Sequence, residues 1–139
     1  MKQWILMLCR IAPKIEEEVG AIETRIERVA LSPYGETIAK YGEIMQLMDE
    51  KIRLINLKVL HRILRDVLLS DERKLLKQIA RGETYAKVGK TLGLATSSVF
   101  KRVSKIIDRI SKVLDKAGWS EERLNREFSS LSLIKRARA

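Results

Sequence analysis

Apolar residues recur along this chain at steps of three and four, the spacing that is typical of amphipathic helices. From Ile15 to about residue 30 they form a single row, which predicts a helix with one buried face. The segment Leu31-Ser-Pro-Tyr-Gly35 interrupts it, and a longer helix is expected to follow, with Ser32 as its N-cap and Pro33 in its first turn. The two helices are predicted to fold back on each other as a hairpin.

The second helix carries an unusually regular seam, which we assign to dimerisation or docking. Its apolar residues alternate steps of three and four, as in coiled coils: Ile38, Tyr41, Met45, Met48, Ile52, Ile55 and Val59. Continuous to Leu68, this helix would be about 50 Å long. It also carries a second row of leucines, so more than one neighbour must cover it. The first helix should be only half as long, so the neighbours are either the first helix and a second chain or the later helices of a monomer.

The later helices have recognisable ends. Ser70 is expected to cap a helix whose first turn holds Asp71 and Glu72, and Gly82 should end it. Further along, a long helix should end at Gly118, and Ser120 should cap a short helix over residues 121–128. The last residues, 129–139, are predicted to be a frayed basic tail. The resulting fold class is all-α, with a long helical hairpin (1–69), a helix-turn-helix (70–117) and a short helix with a basic tail (118–139).

The helix-turn-helix assignment depends on two glycines and an apolar core. Gly93 lies where the turn needs positive φ, and Gly89 lies where the two helices should approach closely. Residues of the predicted core are Val88 and Leu92 in the first helix, Leu94 in the turn, and Val99 and Val103 in the second helix.

Charge is concentrated on this same region. The chain has 28 Lys and Arg against 18 Asp and Glu, a net charge of +10. Residues 71–116 hold 12 of the cations and 5 of the anions, whereas residues 1–70 are nearly neutral, with 11 against 10. Clustered cations attract polyanions and release counterions from nucleic acid. The charge alone fits either a nucleic-acid partner or a merely solvated basic surface, and together with the helix-turn-helix motif it makes double-stranded DNA the expected partner.

The exposed side of the second helix of the motif has the chemistry of a DNA-reading surface, because hydroxyls contact phosphates or base edges and Arg or Lys pairs with guanine. We expect base-edge contacts from Ser97, Ser98, Lys101 and Arg102, and phosphate contacts from Thr84, Tyr85, Lys87 and Lys105. Thr96 lies beside them, and either it or Ser97 is also a candidate N-cap. Phe100 is expected to pack against the long helix instead of DNA.

The composition argues against an enzyme, a cofactor and a membrane protein. One cysteine, Cys9, excludes an internal disulfide, and one histidine, His61, makes a His/Cys metal site improbable. No Gly-rich phosphate loop or Ser/His/Asp arrangement is present. The apolar run near the start is too short for a signal peptide and none is long enough to span a bilayer. A cytoplasmic, nucleoid-associated protein is expected.

Three segments resemble region 4 of bacterial sigma factors: Asp71-Glu-Arg-Lys-Leu-Leu, the stretch from Gly82 to Leu94, and Ser98-Val-Phe-Lys-Arg-Val-Ser-Lys105. The resemblance covers roughly residues 71–110 and departs from the family pattern at Gly89, at Ala95 and at Ala86-Lys87. With the preceding hairpin, the chain most resembles small phage transcription regulators of this kind. The resemblance implies a DNA-binding helix-turn-helix and also contact with RNA polymerase.

These observations predict a sequence-specific DNA-binding transcription regulator that forms a homodimer through its hairpin. One alternative is an adapter that uses the same fold to bind RNA polymerase or another protein. A further alternative is a DNA-packaging protein similar to the phage small terminase, because such proteins also combine helix-turn-helix modules with oligomerising helices.

Overall fold

The computed structural model describes residues 1–139 as seven α-helices without a β-strand, which confirms the all-α prediction. The helices are α1 (Lys2–Leu31), α2 (Thr37–Val67), α3 (Ser70–Ala80), α4 (Tyr85–Leu92), α5 (Thr96–Lys116), α6 (Glu121–Phe128) and α7 (Ser132–Arg138). Helices α1 and α2 pack along each other, α4 and α5 pack together beside α3, α7 packs on α1, and α6 contacts α2.

The first helix is much longer than the apolar row from residue 15 predicts. It begins at Lys2 and continues through Pro13, so its 30 residues match the 31 of α2. The expectation that it is half as long is therefore wrong. Trp4, Ile5 and Leu8 are all buried in its first turns, and their packing outweighs the cost of about 3 kcal/mol that an internal proline imposes on a helix.

The connection between α1 and α2 also differs from the prediction. Ser32 is the C-cap of α1, with its N–H donating to the Val29 carbonyl at 3.3 Å, and Glu36 is the N-cap of α2. Gly35 lies between them at φ +91°. A residue at this φ cannot belong to a right-handed helix, so α2 begins after Gly35 and Ser32 does not cap it.

The two apolar rows of α2 lie on opposite faces. The row that is buried, against α1, consists of Leu47, Leu54, Leu57, Leu60 and Leu64. The seven seam residues from Ile38 to Val59 are all exposed. No later helix covers the seam, so the alternative in which a monomer buries both rows is wrong.

The C-terminal residues are ordered, and the predicted frayed tail is wrong. Helix α7 covers Ser132–Arg138 and buries Leu133 and Ile134. Arg138 lies over the Trp4 ring, 4.8 Å from its centroid, and donates to the Asn125 side chain. These apolar residues are too few to predict a helix on their own, and they are stable in one because α1 provides a surface to cover them.

A single core joins the three predicted segments 1–69, 70–117 and 118–139. Its 27 buried residues include at least one from each helix. In α6 the core residue Phe128 stacks on Trp119 with ring centroids 5.5 Å apart and meets the edge of Trp4 at 6.5 Å. The predicted helix end at Gly118 (φ +84°) and the Ser120 cap, which accepts from the Arg123 N–H at 3.1 Å, are both confirmed.

One carboxylate connects the start of α3 to α5. Glu72 accepts the Leu69 N–H at 2.9 Å and also a hydrogen bond from the Arg109 guanidinium in α5. Leu69 is the N-cap of α3, so the predicted Ser70 cap is displaced by one residue and Glu72 does the capping. The Arg109 hydrogen bond, together with the Leu69 N–H, lowers the pKa of Glu72 from its usual value of 4.5.

The turn of the helix-turn-helix has the predicted glycine geometry. Gly93 ends α4 in the left-handed region, at φ +70° and ψ +31°, and the Leu94 N–H donates to the Gly89 carbonyl at 2.8 Å. Gly89 is buried where α4 meets α5. A Cβ there would lie 2.7 Å from the Leu94 carbonyl oxygen and 3.3 Å from a methyl of Val99.

We predict that Gly89→Ala destabilises the protein by about 1–3 kcal/mol, because the backbone carbonyl of Leu94 cannot yield without opening the turn. Urea unfolding followed by circular dichroism measures this. The matched control is Gly20→Ala in the middle of α1, where a Cβ meets nothing within 4 Å. It should stabilise the protein by about 0.5–1 kcal/mol. Equal effects at the two positions would contradict the close approach of α4 and α5.

We predict that Glu72→Gln lowers the free energy of unfolding by about 1 kcal/mol at pH 7, because it removes a partly exposed ion pair and weakens a helix cap. The pKa of Glu72 is depressed in the folded state, so this stability is present above pH 4.5 and is lost as the pH falls through the lowered value. Unfolding curves of the two proteins should therefore converge once the pH is below the lowered pKa of Glu72. Glu27→Gln, which removes an exposed carboxylate without an ion pair, should change stability little at either pH.

Candidate nucleic-acid interface

The first half of α5 presents most of its polar residues to solvent because its apolar residues fix the orientation of the helix. Val99 and Val103 are buried against α4 and the core. On the outer side, Ser97, Lys101 and Lys105 follow one another at one-turn intervals and are all exposed. A neighbouring row contains half-buried Ser98 and exposed Arg102, and Thr96 is exposed at the start of the helix. The structure thus brings the six predicted α5 residues onto one end of one helix.

The cations of this surface are not neutralised within the chain. None of the ion pairs in the structure involves Lys87, Lys101, Arg102 or Lys105. Lys105 makes no ion pair with Asp108, three residues further along α5. Lys90 in α4 is likewise exposed and unpaired, although the sequence did not single it out. Unpaired cations that remain in solvent are available to a polyanion at no cost in broken ion pairs.

The N-terminus of α5 lies within this surface and has no side-chain cap. Ala95 is the N-cap, so the prediction that Thr96 or Ser97 caps the helix is wrong. The Ser98 and Val99 N–H groups donate to the Ala95 carbonyl, at 3.0 and 3.2 Å. The amides before them have no intrahelical partner, and amides at this end of a helix favour anions. The hydroxyls of Thr96 and Ser97 are free because the helix does not use them as caps.

Two of the predicted phosphate contacts already have partners inside the protein. The Thr84 hydroxyl caps α4 by accepting the Lys87 N–H at 3.1 Å, which leaves its own proton available to donate. Tyr85 is half-buried, and its hydroxyl accepts a hydrogen bond from the Lys2 ammonium at 3.1 Å. The sequence therefore identified residues at the correct end of α4 but not their structural roles.

Phe100 does not pack against α2, and that prediction is wrong. Its ring meets the edge of Tyr85, with centroids 5.7 Å apart, and is about half exposed. The Lys2 ammonium lies 6.0 Å from the Phe100 centroid. Lys2 is thereby a cation at this surface that sequence reasoning missed, since 83 residues separate it from Tyr85. Because α1 starts at Lys2, the N-terminus reaches the edge of the helix-turn-helix.

Leu92 is not buried in α4 as predicted, and 48% of it is exposed. It lines a groove of about 360 Å³ between α3, α4 and α5, together with Leu69 and Leu75 and with the cations Arg102, Lys105 and Arg109. Val88 and Gly89 alone bury α4 against the core. This short helix buries only its side toward α5, and Leu92 lies in the last turn before Gly93.

A second cavity, of about 210 Å³, lies between α1, α2 and α3, away from this surface. Its lining includes Cys9, His61 and the cations Arg65, Arg73 and Lys77. Burial raises the pKa of Cys9 to about 11, so its thiol stays protonated and is a poor nucleophile. Burial and nearby Arg65 lower the pKa of His61. The cavity shows no arrangement of a nucleophile with a base.

Two general features bear on the class of protein. No group of three or more His, Cys, Asp or Glu side chains lies close enough together to hold a metal ion. None of the seven helices combines the length and the apolar character that a membrane-spanning segment needs.

Comparison of the chain with protein families, with curated proteins and with solved structures found no match. The resemblance of residues 71–110 to sigma-factor region 4 therefore stays a prediction that depends on the residues themselves.

Proposed function

We propose that this protein is a sequence-specific DNA-binding transcription regulator that reads the major groove with the first half of α5. The observation that carries the proposal is the unneutralised surface at the N-terminal end of α5, where two serines, two lysines and an arginine project beside uncapped helix amides. An α-helix fits the major groove, and the residues that point outward from its first turns are those that reach base edges.

Each kind of residue on this surface has a role in the proposed complex. Arg102 and Lys101 donate to guanine O6 and N7, and Ser97 and Ser98 contact base edges or phosphates according to the groove geometry. Lys105, Lys87 and the Thr84 hydroxyl contact phosphates on either side. Tyr85 holds Lys2 at the edge of the surface, which adds a further cation near the phosphate backbone.

The charge distribution supports binding to DNA. The excess of 12 cations over 5 anions in residues 71–116 coincides with the helix-turn-helix. One of those five anions, Glu72, is held by Arg109. The cations are thus concentrated around a helix of suitable width for the major groove, which is how proteins of this kind combine affinity with readout.

The groove around Leu92 favours a second candidate function, an adapter that binds RNA polymerase or another protein. Leu92 and Leu69, which is 67% exposed, form apolar surface that DNA does not require. Arg102 and Lys105 border the groove, so the same residues would then attract an acidic protein surface. DNA binding remains the leading function because Ser97, Ser98 and Lys101 of α5 lie outside the groove lining.

We predict that the double variant Ser98→Ala/Arg102→Ala loses sequence preference for DNA. Duplexes that the wild-type protein selects from a random pool should share a sequence motif. The affinity of the wild type for DNA should fall steeply with salt concentration. The double variant should bind the selected site at least about tenfold more weakly and give a flattened motif, because a bidentate Arg–guanine contact is worth about 1–3 kcal/mol.

The matched control is Arg25→Ala, which removes one cation from an exposed position on α1 that has no ion pair. It should leave the motif intact. Weak binding without a motif in wild type, together with indifference to Ser98 and Arg102, would contradict the proposal and favour the protein adapter.

We predict a different result for Lys105→Ala. A lysine that contacts phosphate carries no sequence information, so affinity should fall about equally for selected and unrelated duplexes. The slope of log affinity against log salt should become shallower by about one. Fluorescence anisotropy at four or more salt concentrations measures both quantities, and a changed motif in this variant would show that Lys105 reads bases instead.

A further inference from the structure

The seam of α2 is an apolar surface that nothing within the chain covers. Its seven residues have exposed fractions between 41% for Ile55 and 85% for Ile38. The seam extends from Ile38 to Val59, a distance of about 30 Å at 1.5 Å per residue. Scattered exposed apolar residues need no explanation, but a continuous exposed apolar row of this length marks an interaction site.

The area of the seam matches what one partner contributes to a stable interface. The exposed fractions of these large side chains correspond to on the order of 800 Å² of mostly apolar surface, about the amount that each partner of a standard interface buries. This exceeds the largest apolar patch of a typical monomer, about 300–600 Å². The seam is thus large enough for specific association without any other part of the molecule.

Three cations of α2 near the seam are already paired within the chain. Lys51 binds Glu23 at 3.0 Å, Lys58 binds Glu16, and Arg53 binds Asp49 at 3.0 Å. The first two pairs tie these lysines to α1, and the seam residues themselves carry no charge. A surface of this kind does not select a strongly acidic or basic partner, and it does not repel an identical copy of itself.

We infer that the seam binds the seam of a second copy of this chain, forming a two-fold symmetric dimer by coiled-coil packing of the two α2 helices. The steps of three and four over three heptads are the pattern in which one helix inserts its side chains between those of an equivalent helix. A two-fold interface requires a self-complementary surface, and an uncharged apolar row meets that requirement. The inference depends on the seam alone and stands or falls independently of DNA binding.

The test is the mass of the protein in solution without DNA, by sedimentation or light scattering over a concentration series. The wild type should approach twice the chain mass of 16.0 kDa at micromolar concentration. Ile52→Glu, in the middle of the seam at 56% exposure, should weaken dimerisation by at least about tenfold because it places two buried carboxylates across the two-fold interface.

The matched control is Leu31→Glu, which makes the same change of charge at a residue that is 74% exposed outside the seam. It should dimerise like wild type. Circular dichroism should show that both variants retain the helical content of wild type. A monomeric wild type at about 100 µM, far above a micromolar dissociation constant, would overturn the inference and assign the seam to another protein. Equal effects of the two substitutions, or a larger oligomer, would also overturn it.

Discussion

The molecule depends on the burial of α1. Six of its seven buried residues lie between Trp4 and Ile15, and the helix is covered by α2, α3, α5 and α7. Trp4 occupies the middle of this cover, with Phe128 against its ring, Arg138 over its face and Asn125 accepting its indole N–H at 3.0 Å. Burial of large aromatic and aliphatic side chains is the main favourable contribution to folding, so α1 connects the hairpin, the helix-turn-helix and the C-terminal helices in one core.

The arrangement has a direct consequence for the candidate site. Helix α5 is long, and its second half is buried against the core through Ile106, Ile110 and Leu114. Its first half therefore projects with a fixed orientation, and Glu72 adds a further connection through Arg109. A helix held in this way positions its side chains without the entropic cost of ordering a loop on binding.

The two proposed surfaces have opposite chemistry and lie on different helices. The α5 surface is polar and rich in unpaired cations, whereas the seam of α2 is apolar and bordered by cations that are paired to α1. This separation allows one chain to bind DNA and a second copy at the same time. In a symmetric dimer the two α5 helices would be related by the same two-fold axis, so the DNA target would consist of two half-sites.

The sequence by itself determined the features that depend on local spacing and local backbone geometry. The all-α class follows from apolar residues at steps of three and four. The helix ends near residues 82, 93 and 118 follow from the positive φ that glycine adopts, and the Ser120 cap follows from its place just before a helix. The exposed polar row of α5 followed as well, because buried Val99 and Val103 leave only one side of the helix for Ser97, Lys101 and Lys105. The heptad seam was recognised for the same reason.

Only the tertiary structure decided which surfaces cover one another. The length of α1 past Pro13, the order of α7, and the exposure of Leu92 and Phe100 all depend on neighbours that are distant in sequence. Lys2 reaches Tyr85 only because α1 runs the length of the molecule. The seam and the leucine row of α2 are equally apolar, so periodicity alone could not show which one packs on α1. Burial requires two elements in contact, and the apolar pattern of one helix does not show which other element covers it.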